Sequence, residues 1–289
     1  MFIRTTIFVV ICSALALGCS TEQRIDSVEE IIDNLIQAGF PADDIMIVDG
    51  AVYVGRDAHV TLEASREMLE SGDESAEQYR TTNLVGISIT KICINPTTSF
   101  NSVSMLSQAL NAAIDNYNAL GLRLAFARGP TNGCTANITA TTTSGVGSSA
   151  GFPWGGKPYG LIYIGTGLQN YSLDVNEHVI THEIGHTIGI RHSDYYNRSI
   201  SCGSGGSEGD TGIGAVYIPG TPTMATIGGS LMNSCFDLSV PGEFTLSDYT
   251  AFRHLYNKPQ CGDGICNGTE TSDSCWADCG CHECSVRSE

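Results

Sequence analysis

Basic residues are scarce in this chain. Its 289 residues hold 14 Lys and Arg against 31 Asp and Glu, a formal net charge of −17. No positive stripe is present of the kind a nucleic acid needs, so that function class is excluded. The deficit is uneven. Residues 19–80 carry 15 acidic and 4 basic side chains, and residues 259–289 carry 6 and 1. Residues 81–258 carry 10 and 8, close to balance. Long apolar runs are lacking too: the stretch from Ile7 to Leu17 is too short to span a membrane. Cysteine is missing between Cys19 and Cys93, which excludes sulfur ligation or cross-linking from within that stretch.

What stands at the N-terminus reads as a targeting segment. Arg4 supplies the positive region, and Ile7 to Leu17 the apolar one. The run Ala16-Leu17-Gly18-Cys19 resembles a bacterial lipoprotein signal, cut before a cysteine that is then lipidated. That makes 1–18 the signal and Cys19 the anchor; ordinary secretion with cleavage nearby is the alternative. Either implies export from a bacterial cell, to the outer membrane or cell surface as a lipoprotein or into the medium. Membrane contact is then expected only through the lipid. Both routes lead to a compartment that permits disulfides. With Cys12 removed and Cys19 capped, ten cysteines remain, an even number.

The densest chemistry lies at His182-Glu183-Ile184-Gly185-His186-Thr187-Ile188-Gly189-Ile190-Arg191-His192. On a helix, His182 and His186 at i and i+4 share a face, with Cβ atoms roughly 5–6 Å apart. Two imidazoles so placed can converge on one Zn²⁺. Glu183 is rotated about 100° from His182, beside the metal, where a carboxylate can take a proton from water. Gly189 suits a left-handed helix end, and such a turn brings His192 back as a third ligand. Three protein ligands and one open position mark a catalytic rather than a structural zinc. His178, one turn earlier, is too far along a straight helix to join them, because two turns span about 11 Å. It is expected to pack or to support a ligand.

Residues 19–80 form an acidic N-terminal unit. Ser27 is a candidate cap for a helix with apolar positions Val28, Ile31, Ile32, Leu35 and Ile36. Two short strands, Ile45 to Val48 and Ala51 to Val54, flank Asp49-Gly50, a hairpin dipeptide. A second helix is expected from Thr61 to Leu69, and the polar run Ser71 to Gln78 reads as an exposed linker open to nicking. The unit fits a propeptide, or alternatively an accessory domain that stays attached.

Residues 81–258 read as mixed α/β. Strands are expected at Leu84 to Ile94, Leu122 to Ala127, Ile138 to Thr143 and Leu161 to Ile164, the Thr-rich third being the more exposed. A long helix is expected from Asn101 to Leu120. Asp174 as cap and Glu177 in the first turn would start the histidine helix. Thr245 with Asp248 marks a capping box for a last helix that ends near Tyr256, before Pro259. Cys202 and Cys235 bracket the segment after His192 and are expected to pair, contributing about 3–4 kcal/mol. Cys93 and Cys134 form the remaining pair.

The eleven-residue pattern resembles the metzincin metallopeptidases. The literal His-Glu-Ile-Gly-His resembles the bacterial HEIGH metallopeptidase family more closely. So do Arg191-His192-Ser193-Asp194-Tyr195, Ser201-Cys202-Gly203, Ile218-Pro219-Gly220-Thr221-Pro222 and Met232-Asn233-Ser234-Cys235. The resemblance implies an α+β metzincin-like domain over about 81–258, a mixed twisted sheet plus a zinc helix. It implies hydrolysis of protein or peptide substrates with His182, His186 and His192 on the metal and Glu183 as base. It also implies a methionine turn at Met232, with Met224 the competing candidate, and a cleft edge at Gly160 to Gly165 that takes substrate as an added strand. Ser234 stands where some metzincins place a tyrosine; Tyr195 or Tyr196 would have to approach from elsewhere. Tyr53-Val54-Gly55-Arg56-Asp57 is similar to the aspartate latch of astacin propeptides, with Arg56 intervening. Asp57 is therefore expected on the open zinc position in the precursor.

The tail, 259–289, packs six cysteines between Cys261 and Cys284. Too short for its own core, it is expected to hold three disulfides rather than zinc. Asp263, Glu270, Asp273 and Asp278 are candidate Ca²⁺ ligands. The competing function is a non-catalytic adhesion lipoprotein on the same scaffold; every catalytic role in the histidine motif being filled argues for the enzyme.

Overall fold

The computed structural model describes residues 16–69, 78–208 and 215–258. The signal before residue 16, most of the linker, and the cysteine tail with its calcium candidates lie outside them. Helix α1 (Ala16–Gln37) buries Ile31 and Leu35, two of the positions that predicted it. It begins well before Ser27, which is an interior residue and not a cap. Strands β1 (Met46–Val48) and β2 (Ala51–Val54) pair antiparallel across Asp49-Gly50, both turn residues at positive φ. A further strand, β3 (Ala58–Val60), pairs antiparallel with β2. Helix α2 (Leu62–Glu67) follows, with Thr61 Oγ1 accepting from Ala64 N. These elements close a small core around Leu35, Phe40, Val52, Val60 and Met68, with Phe152 of the second half packed into it.

Gln78 is buried, contrary to the exposed run predicted through it; the rest of that run lies outside the described residues. Strand β4 (Tyr79–Arg80) pairs with β10 (Val216–Tyr217), and Thr81 N donates to Gly189 O at 2.8 Å. These residues are thus stitched into the second half. Strand β5 (Lys91–Pro96) is only the end of the strand expected from Leu84. The carbonyls of Val85, Gly86 and Ile89 are taken by the Arg123 guanidinium instead of a neighbouring strand. The expected long helix is two, α3 (Thr98–Ser102) and α4 (Ser104–Ala119), parted at Val103 in an extended conformation. Thr97 caps the first through Phe100 N at 3.3 Å.

Strands β6 (Ala125–Arg128), β7 (Ala136–Thr143) and β9 (Leu161–Gly165) join β5 in an all-parallel sheet of order β6-β5-β7-β9. The Thr-rich β7 is interior to this sheet. Ile138 and Ala140 face the core while Thr139 is exposed, as the alternation of a strand requires. The short strand β8 (Ala150–Gly151) pairs parallel with β3, so the N-terminal unit docks as extra strands. The other side of β9 is bridged by Ser149 at Tyr163, with hydrogen bonds of 2.8 and 2.9 Å. The strand added from the N-terminal unit thus lies on β8, while Ser149 bridges to β9.

Helix α5 (Leu173–Thr187) carries the histidines and is buried on nearly every face from Val175 onward. Its cap is Ser172, whose Oγ accepts from Val175 N, and not Asp174, which lies in the first turn. Helix α6 (Ser199–Cys202) and α7 (Leu246–Tyr256) are the last helices among the described residues, α7 with the predicted Thr245–Asp248 capping box. Disulfides join Cys93 to Cys134 and Cys202 to Cys235. The main core runs from Ile92 and Leu106 through Ile184 to Phe252.

Candidate metal centre

Gly185 explains how the helix is set. A Cβ there would lie 2.7 Å from Met232 Sδ and 3.3 Å from Tyr117 Oη. Its absence lets the methionine turn press against α5 and lets Tyr117 donate to Thr181 O at 2.8 Å. Gly189, at φ +103°, ends the helix. Its N–H meets His186 O, and Ile190 N meets Gly185 O, both at 3.0 Å. This is the paired bonding of a Schellman turn. The chain reverses there, and His192 returns to the face of His182 and His186.

Each ring is fixed through Nδ1. His182 faces Leu231 O at 3.0 Å, His186 faces Ile190 O at 2.8 Å, and His192 faces Glu208 Oε1 at 2.7 Å. Carbonyls and carboxylates only accept, so all three Nδ1 atoms carry the proton. The Nε2 atoms are turned inward; those of His182 and His192 are 3.2 Å apart. Asp57 joins them from the segment between β2 and β3. Its carboxylate lies 3.2 Å from His192, 3.7 Å from His182 and 3.8 Å from His186, measured to Nε2. Ligand atoms of all four residues fall within 4.8 Å of one another. His186 Nε2 is buried with no hydrogen-bond partner. Three imidazole nitrogens stripped of water and aimed at one point fit a zinc ion.

The titratable groups of the cluster are shifted in opposite directions. Burial and neighbouring His182 push His186 well below its ordinary pKa. Burial opposes charge on His192, but Asp57 and Glu208 outweigh it and hold the ring well above the usual value. Glu183 is buried with Oε2 unpartnered, and burial together with the Asp57 charge pushes its carboxyl well upward. His178 does not join the cluster. It is buried against Phe236, ring centroids 4.5 Å apart, and burial holds it at about 3. Tyr195 packs on Tyr79, and Tyr196 Oη accepts from Ala225 N; neither lines the cavity beside the cluster. That cavity, about 140 Å³, is bounded by Glu183, Val146, Leu168, Val179 and Phe236.

Sequence reasoning did not find Glu208, Arg198 or Asp44. Glu208 sits in a glycine-rich loop with no local pattern. Arg198 bridges Glu208 at 3.2 Å and Asp44 at 3.3 Å, and Asp44 in turn accepts from Gly55 N at 2.9 Å. Arg191 lies between Phe40 of the N-terminal unit and Tyr195, at 4.6 and 5.0 Å. The N-terminal unit is thus clasped beside the histidines by charge and by an aromatic ring.

The fold and this cluster define a zinc metallopeptidase. A family model described as dual-action HEIGH metallo-peptidase matches residues 52–256, and the chain belongs to that family. No curated protein matches it. Among solved structures it is similar to two of myroilysin, at 12% and 14% identity with TM-scores of 0.39 and 0.37. Each covers 59% of this chain, and 94% and 85% of the myroilysin chains. It is also similar to a hatching enzyme zinc-protease from Oryzias latipes, the medaka fish. That match has 13% identity and a TM-score of 0.38, covering 59% of this chain and 91% of that one. The family assignment rests on the family model.

Proposed function

We propose that this chain is the latent precursor of an exported zinc endopeptidase, with His182, His186 and His192 as ligands and Asp57 in the fourth position. The observation that supports it is the convergence of Asp57 on all three Nε2 atoms at 3.2–3.8 Å. A carboxylate is an acceptable zinc ligand, and in that place it excludes both water and a substrate carbonyl. Residues 19–77 act as the propeptide. Their docking on β8 as an added strand takes the edge on which an extended peptide would lie.

Bound zinc would supply a Lewis acid that polarises the scissile carbonyl and the attacking water. Once Asp57 has left, Glu183 takes the proton of that water and hands it to the departing amine. The cavity beside Glu183, walled by Val146, Leu168, Val179 and Phe236, receives a side chain of the substrate. Export, by a lipid on Cys19 or by plain secretion, accounts for the need of a latch.

The test is cleavage of a diverse peptide library by the purified, proteolytically activated protein, with and without a zinc chelator. Chelator-sensitive cleavage within peptide interiors supports the reading. Absence of cleavage by metal-replete, activated protein overturns it.

A further inference from the structure

We infer that Glu208 is a positioning residue for the third histidine: it fixes the tautomer and the aim of His192 and strengthens its hold on the metal. The inference rests on the zinc reading above. Glu208 is 2% exposed, and its Oε1 lies 2.7 Å from His192 Nδ1. His182 and His186 turn their Nδ1–H groups to neutral backbone carbonyls that their own helix turn and the methionine turn hold in place. His192 stands beyond the end of the helix and has no such backbone partner. It alone donates to a carboxylate. A charged acceptor makes the stronger hydrogen bond, and it raises the electron density at the opposite nitrogen.

The carboxylate is built in from several directions. Its oxygens lie 3.2 Å from Arg198 Nε and 3.7 Å from Arg191 Nη2, and Ser234 Oγ donates to Oε1 at 3.3 Å. Its backbone is tied as well, Glu208 N to Tyr195 O at 2.6 Å and Arg191 Nη2 to Glu208 O at 3.0 Å. Two guanidiniums thus lie against the carboxylate that faces the ring. A purely structural carboxylate would need only the arginines. The short contact to the ring nitrogen points to the metal.

The experiment uses full-length protein: wild type, Glu208→Gln, His192→Ala and the double variant, each titrated with zinc against a chromophoric chelator. Glu208→Gln is expected to weaken zinc binding about 10–100-fold. In the His192→Ala background the same change should have little effect, since the ring through which it acts is gone. Unaltered zinc affinity in Glu208→Gln overturns the inference. So does a loss of equal size with and without His192, which would mark a role in folding alone. A measurement on wild-type protein needs no variant. In ¹⁵N–¹H spectra of the zinc-loaded protein, His192 should show a protonated Nδ1 further downfield than those of His182 and His186, and an unprotonated one overturns the inference. Wild type that binds no zinc would end the zinc reading itself; wild type and Glu208→Gln that bind it equally would end only this one.

Discussion

Asp57 Oδ2 stands 3.2 Å from His192 Nε2, while Glu208 Oε1 holds the other nitrogen of the same ring at 2.7 Å. His192 is thus gripped by one carboxylate from the N-terminal unit and one from its own domain. On the proposed function, only the first would leave with the N-terminal unit. Latency and ligation are therefore separable, and variants on either side should behave differently.

On the catalytic side, Glu183→Gln should keep zinc and lose hydrolysis by about 10²–10⁴-fold. The amide occupies the same volume but cannot accept the proton. Metal content and turnover of the activated variant check this, and near-normal turnover with zinc bound would contradict the role.

On the latch side, Gly55 should not tolerate a side chain. Its φ is +61°, and a Cβ would meet the Glu208 carboxylate at 3.0 Å. Gly55→Ala should destabilise the docked unit by about 1 kcal/mol or more and raise the hydrolysis shown by the full chain. An unaltered melting temperature together with unaltered basal hydrolysis would count against the tight crossing of the latch over Glu208.

Beneath the metal, Gly185→Ala should cost about 1–3 kcal/mol of stability, because the added methyl meets Met232 Sδ at 2.7 Å. Denaturant unfolding of the zinc-loaded protein reads it. A neutral substitution would mean that the methionine turn yields freely.

Acid stability should depend on His178. Folded, the ring is held at about 3 by burial; its ordinary value is 6.5. Below that ordinary value the unfolded chain binds a proton that the folded chain refuses. Stability is therefore full above pH 6.5 and is lost as pH falls towards 3. His178→Phe should recover about 3 kcal/mol of this near pH 4. Parallel acid unfolding curves for the two proteins would contradict it.

Local signals made much of this legible. The capping box at Thr245, the Asp49-Gly50 hairpin, the periodic helices and the histidine spacing are all short-range patterns, and the elements formed where such patterns were unopposed. Some misreadings came where a distant group intervened, and others were local: Ser172 and not Asp174 caps α5, and Val103 parts the long helix. Arg123 took the carbonyls of Val85 to Ile89 and kept them out of a strand. Asp57 was visible as a motif, but the strand that follows it, Ala58–Val60, is too short to show a period. Glu208 reaches His192 over a sequence separation of 16 with α6 between them, and no spacing rule covers such a contact.

The central claim is that Asp57 closes a working zinc site. Its most direct test is the hydrolysis rate of the uncleaved Asp57→Ala protein against uncleaved wild type, at matched zinc content. The account predicts at least a tenfold rise, abolished by chelator. Equal rates for the two uncleaved proteins would contradict it.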